Sequence, residues 1–188
     1  MRKQKQKGFS LIELLIVVAI ILIIAAIAIP NLLRSKMSAN DSAAASTIRT
    51  LNTSQVTYAT NYPTFGYADT FTKLGPQVGG AACDNTHACL IDNVIANSTA
   101  GPSPKSGYNY YIVGLAPVAP STVVGDYSVS AHPINLNSTG TNAYCSTADA
   151  VVRSMKTAIP APTGAITPPG GAETIPNCQT ITTYGPIQ

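Results

Sequence analysis

Few side chains in this 188-residue chain are placed to do chemistry. His87 and His132 are its only histidines, and neither accompanies a nucleophile motif or a glycine-rich phosphate loop. Cys83, Asp84, His87 and Cys89 are close enough in sequence to be drawn as metal ligands, but their spacing matches no standard zinc pair. Asp84, Asp92, Asp126 and Asp149 are scattered, and solvated surface is the ordinary role of such acids. No catalytic, metal-ligating or cofactor-binding residue is assigned, and the expectation is a protein that is not an enzyme. One acid stands apart. Glu13 is the only charged residue from Phe9 through Leu33. An ionised carboxylate inside such an apolar run costs several kcal/mol unless it is paired or protonated, so its presence calls for a reason.

The surroundings of Glu13 form an address. Arg2, Lys3, Lys5 and Lys7 place four of the 11 basic residues ahead of it. Residues 14–29 are apolar without interruption, and as a helix residues 11–29 reach roughly 28 Å, about the thickness of a bilayer core. The basic head should stay cytoplasmic while the remainder is translocated. Three readings fit such a start. A cleaved signal peptide would use Ala26-Ile27-Ala28 as its cut site. A plain uncleaved anchor would carry its domain outside. Neither gives Glu13 a role.

The third reading does. The string Gly8-Phe9-Ser10-Leu11-Ile12-Glu13, followed by LLIVVAIILIIAAIAIP, resembles the N-terminus of type IV prepilins and pseudopilins with a short leader. The resemblance implies a cut after Gly8 by a prepilin peptidase, which then N-methylates Phe9. Glu13 falls where the family has its signature glutamate, and Pro30 where it has a helix-kinking proline. The match covers about 26 residues and departs at Leu22, where many pilins have glycine. Phe9, Glu13 and Pro30 are the implied assembly residues. The amine of Phe9 in one subunit would pair with Glu13 of its neighbour, relieving two costly buried charges and fixing an axial register that apolar helix faces alone leave free.

That resemblance sets the remaining expectations. The implied partners are further copies in a helical filament, the prepilin peptidase and methylase, the inner membrane before assembly, and the pilus assembly machinery with its own cytoplasmic ATPase. The implied product is an extracellular filament for adhesion, motility or DNA uptake. The alternatives are a type II secretion pseudopilin, or, in another class, a membrane-anchored or secreted periplasmic binding domain. No cofactor is expected; the resemblance to major pseudopilins, which bind calcium in a C-terminal loop, leaves calcium in a head loop as a minor alternative with no ligands assigned. Specific nucleic acid binding is not inferred, because after residue 8 the basic side chains are sparse. The formal charge of +3 belongs to the leader: without its four basic residues, seven basic side chains face eight acidic ones.

The elements that must position these residues follow. The fold class is α+β: a long helix over about 9–61, kinked or melted near Pro30, on a small antiparallel sheet. We divide the chain into a leader (1–8), a membrane and polymerisation half-helix (9–33), an amphipathic half (34–62) and a β-rich head (63–188). Ala44, Ile48, Leu51, Gln55, Tyr58 and Tyr62 recur at helical spacing, with Ser38, Asn40, Asp41, Ser42, Asn52 and Thr53 on other faces. Pro63 should end the helix. Of 14 Pro and 14 Gly, all but Pro30 and Gly8 follow residue 62, so the head should be turn-rich. Residues 108–115, 126–131 and 150–155 are the predicted strands, after a loop with a possible short helix at 71–96. The tail from 158 reads as irregular. Packing accounts for the nine tyrosines. Four cysteines in an exported domain read as disulfides with three possible pairings. Many pilins close their C-terminal segment with one bridge, and that resemblance, with proximity, favours Cys83–Cys89 and Cys145–Cys178.

Overall fold

The computed structural model describes residues 10–77, 79, 81–96, 103–114, 123–156, 178 and 185–186. One helix, α1 (Leu11–Asn61), dominates it. Leu, Ile and Ala in long succession favour it, and in its second half the hydroxyls are satisfied on the helix itself: Ser42, Thr47, Thr50, Thr53, Ser54, Thr57 and Thr60 each donate to the carbonyl four residues back. Pro30 lies inside α1 without ending it. No melted turn forms there, since a single proline removes one amide donor while the turns on either side keep theirs. Asn61 is the last helical residue; the chain then turns at Gly66, whose φ is +75°. A Cβ at Gly66 would lie 2.2 Å from the Val124 carbonyl oxygen, so only glycine lets the two segments meet.

The chain divides into two compact units, Met1–Lys36 and Met37–Gln188. The first holds the apolar part of α1. The second, the head, contains the rest of α1, two one-turn helices, α2 (Phe71–Leu74) and α3 (Asn93–Ala96), and one sheet. The strands are β1 (Ser103–Lys105), β2 (Tyr108–Gly114), β3 (Tyr127–Pro133), β4 (Ala143–Thr147), β5 (Arg153–Met155) and β6 (Gly185–Pro186). They pair in sequence order, all antiparallel, as a meander. Tyr110 opposite Ala131, Ile112 opposite Val129 and Ala131 opposite Tyr144 place one residue set on one face. That face meets Ala44, Ile48, Leu51 and Tyr58 of α1 in the core. Tyr58, Tyr108, Tyr110 and Tyr127 are fully buried; in a chain with no Trp and three Phe, tyrosine supplies the bulk of the core.

Several boundaries differ from expectation. The strand expected at 150–155 begins only at Arg153, because Ala150 adopts a φ of +57° in a turn held by its N–H donating to the Thr147 carbonyl. β1, β4 and β6 were not anticipated: SPK carries a proline, AYCST has no alternating pattern because all five residues are buried, and the two-residue β6 falls in the tail read as irregular. Asp41 and Asn52, expected on outward faces, are buried, since each finds partners on the sheet side. Leu115, Gly8, Phe9, the leader and the tail from 158 to 177 lie outside the described residues.

Candidate assembly site

The first half of α1 is unlike the rest of the molecule. Sixteen large apolar side chains from Leu11 to Leu33 are 46–78% exposed. Burying each fully contributes about 1.5–3 kcal/mol, so this surface requires a bilayer or neighbouring helices as its surroundings. Among the described residues, α1 is the helix long and apolar enough to cross a membrane.

Its start is built by Ser10 and Glu13. The Ser10 carbonyl accepts from the Glu13 and Leu14 amides at 3.1 and 3.3 Å. Glu13 in turn accepts the Ser10 N–H on Oε2 at 2.9 Å. This is the acidic arm of a capping box, and Ser10-Leu11-Ile12-Glu13 carries its S-x-x-E spacing. Sequence reasoning assigned Glu13 only to a neighbouring subunit and overlooked this local partner, although the spacing signalled it. Glu13 and Pro30 sit on the same helix, roughly 26 Å apart along its axis. Gly8 and Phe9 lie outside the described residues. Arg34 and Lys36, which follow the apolar run, have no ionic partner among the described residues.

Within the head, Asp41 and Asn52 of α1 pin the helix to the sheet and its adjoining loop, and Gln55 pins it to the loop that follows α1. Asp41 receives hydrogen bonds from the Tyr108 hydroxyl, the Thr141 amide (3.0 Å), the Thr141 hydroxyl (2.6 Å) and the Asn142 side chain (3.2 Å). Asn52 donates to Ser146 Oγ at 2.8 Å and accepts from the Tyr127 hydroxyl at 3.1 Å. Gln55 pairs with the backbone of Ala68 in both directions, each bond 2.8 Å, as a strand would. Burial and the neighbouring Asp41 carboxylate raise the Tyr108 pKa far above the usual phenol range, so this hydroxyl stays a donor.

The remaining acids are used locally. Asp69 pairs with Lys73 at 2.8 Å, Asp92 with Lys105, and Asp149 with Arg153 at 2.6 Å. The Arg153 contact leads in drawing the Asp149 pKa down to about 2. Burial opposes ionisation of Asp92, but Lys105 and the Ile95 amide outweigh it. Asp84 closes a turn by accepting from the Thr86 hydroxyl and from the Thr86 and His87 amides, and Thr86 holds its pKa below the usual range. Asp126 accepts the Tyr127 and Ala148 amides.

The structure joins Cys83 to Cys89 and Cys145 to Cys178. Among the described residues no three His, Cys, Asp or Glu side chains converge as a metal site. Two open clefts in the head hold about 210 and 380 Å³. The first is lined by Thr50, Leu51 and Ile95 with Asp92 and Lys105, which pair with each other, and the second by Asn52, Val56 and Ala150 with Arg49.

Residues 3–29 match the prokaryotic N-terminal methylation motif. The chain is 34% identical over 105 residues to the type IV major pilin protein PilA of Myxococcus xanthus, covering 55% of this chain and 47% of that protein. It is 69% identical over 35 residues to the type IV wide pilus major component PilA4 of Thermus thermophilus, covering 19% of this chain and 27% of that protein. The aligned regions thus span about half, or less, of those relatives' lengths. No solved structure matches the chain.

Proposed function

We propose, from the premise that the chain belongs to the type IV pilin family, that it is a structural subunit of a type IV pilus. The precursor waits in the inner membrane with its basic leader on the cytoplasmic side. A peptidase cuts between Gly8 and Phe9, Phe9 is N-methylated, and subunits polymerise through the apolar half of α1 into an extracellular filament. Exchange of bilayer for neighbouring helices keeps the apolar side chains out of water throughout. The Phe9 amine of one copy meets Glu13 of the next, and Glu13 retains its own Ser10 amide as a second donor.

One observation carries this reading: a half-helix exposing sixteen large apolar side chains, from Leu11 to Leu33, whose single carboxylate sits in the first turn. A plain anchor needs the first feature and gains nothing from the second. The test is to shear surface fibres from the cell of origin and sequence the N-terminus of this chain within them. N-methyl-phenylalanine at position 9 is the expected first residue. A chain beginning at Ile29, as from a signal-peptide cut, or retaining Met1, would overturn the reading.

A further inference from the structure

The charges flanking the apolar helix change in a way that the filament reading does not by itself use. Arg2, Lys3, Lys5 and Lys7 precede the helix, and no acid accompanies them before Glu13. After the run come Arg34 and Lys36, both without an ionic partner among the described residues. The next charged residue, Asp41, is buried and engaged by Tyr108, Thr141 and Asn142. Two accessible positive charges on the translocated side run against the usual distribution around a membrane helix, and the leader outweighs them while it is present. Hydrolysis of the Gly8–Phe9 peptide bond by one water leaves a carboxylate on Gly8 and an ammonium on Phe9. The departing leader takes its four basic side chains with it. What remains ahead of the apolar core is one ammonium and one carboxylate, that of Glu13, bound to the Ser10 amide within the same turn.

We propose that the cut is an electrical release step: it converts a cytoplasmic end whose basic groups far outnumber the Glu13 carboxylate into one with no net charge, so that withdrawal of the subunit into the filament moves no charge across the membrane potential. Each positive charge drawn outward against a potential that is negative inside is opposed by a factor of about fifty per 100 mV. Four such charges hold the precursor in the membrane; none opposes the mature chain. Arg34 and Lys36 are already outside and do not cross during this withdrawal. Glu13 thereby acts before any neighbour is met, as the counter-charge that its own chain carries through the membrane. This inference rests on the filament reading of the same helix.

The experiment places one extra charge at Ser10, whose side chain makes no hydrogen bond among the described residues, while its amide remains available to Glu13. Ser10→Lys, Ser10→Gln and Ser10→Glu chains are each co-expressed with the unaltered chain. Mass spectrometry then gives the variant-to-unaltered ratio in sheared fibres, divided by the same ratio for cleaved chain in the membrane, so that differences in processing cancel. Measurements are repeated as the membrane potential is lowered with valinomycin and external potassium. The Lys variant should be excluded from fibres, with an exclusion that deepens towards fiftyfold per 100 mV and fades as the potential falls. The Glu variant should shift the opposite way, and the Gln variant should not respond to potential. A Lys ratio that is flat across potentials overturns the electrical step while leaving the filament reading intact. Absence of the unaltered chain from the fibres removes the filament reading and this proposal with it.

Discussion

Asp41 and His132 are two buried polar residues in opposite circumstances. Asp41 is surrounded by donors, and its removal leaves the Thr141 amide, the Thr141 hydroxyl and the Asn142 side-chain amide short of an acceptor in a half-buried site. Stranding buried polar groups costs about 1–3 kcal/mol each before relaxation. Asp41→Ala should therefore lower unfolding free energy by about 3 kcal/mol, and Asp41→Asn by less, as read from urea midpoints of the full chain in detergent. A loss below about 1 kcal/mol for the alanine variant would mean that the network is incidental. His132 on β3 has the reverse problem. Its Nδ1 is buried with no partner among the described residues, its Nε2 is 3.3 Å from Ser130 Oγ, and Tyr111 lies edge-on at 5.6 Å. Burial pushes its pKa down to about 4 from 6.5. The folded state thus prefers the neutral ring: its contribution is complete above pH 6.5, falls as pH drops through the interval to 4, and is gone below. The size is about 3 kcal/mol. Acid titration of stability should show this loss in the unaltered chain and a flatter profile between pH 6.5 and 4 in His132→Phe. Equal slopes would place the acid sensitivity elsewhere.

Among the elements, the sheet and its disulfides carry different loads. Cys145 lies on β4 and Cys178 is 33 residues further along, whereas Cys83 and Cys89 are separated by 6. Chain-entropy reasoning assigns about 4 kcal/mol to the longer closure and about 2 kcal/mol to the shorter. Replacing Cys145 and Cys178 together by serine should therefore lower the thermal midpoint more than replacing Cys83 and Cys89; the reverse order would show that native-state strain dominates. How much of this could be read from the sequence differs by element. The helix was legible over nearly its whole length, because Ala44, Ile48, Leu51 and Tyr58 keep a 3.6-residue period and Pro63 marks the end. β2 and β3 were legible because they alternate buried and half-buried residues over their first five positions. β4 was not, since a strand covered on both faces shows no alternation. Asp41 and Asn52 were assigned outward because polar residues usually face water; what buries them is Tyr108, Tyr127 and Ser146 from distant strands and Thr141 from the loop before β4. The capping role of Glu13 was local and readable, but the apolar run drew attention to its cost instead of its turn.

The charge layout of the whole molecule sets what each part responds to. Every described acid of the head has an internal partner, and three of these pairings are ion pairs with Lys73, Lys105 and Arg153. Such exposed pairs contribute about 0–1 kcal/mol each and are screened by salt, so head stability should change little between low and high ionic strength. Assembly should behave differently, because it turns on one charge. Glu13→Gln and Glu13→Ala separate its two roles. The glutamine amide oxygen still accepts the Ser10 N–H, so the capping arm survives; alanine removes it, at about 1 kcal/mol for the helix terminus. Neither variant supplies a counter-charge for the Phe9 ammonium. If charge neutralisation governs polymerisation, both variants should be cleaved, remain in the membrane and give at least tenfold less chain in sheared fibres, while only the alanine variant frays the first turn, as measured by amide exchange at residues 10–14 in detergent. If Glu13→Gln chains instead fill fibres at the normal level, capping is the whole contribution of Glu13, and the amine of Phe9 must find its partner elsewhere in the filament.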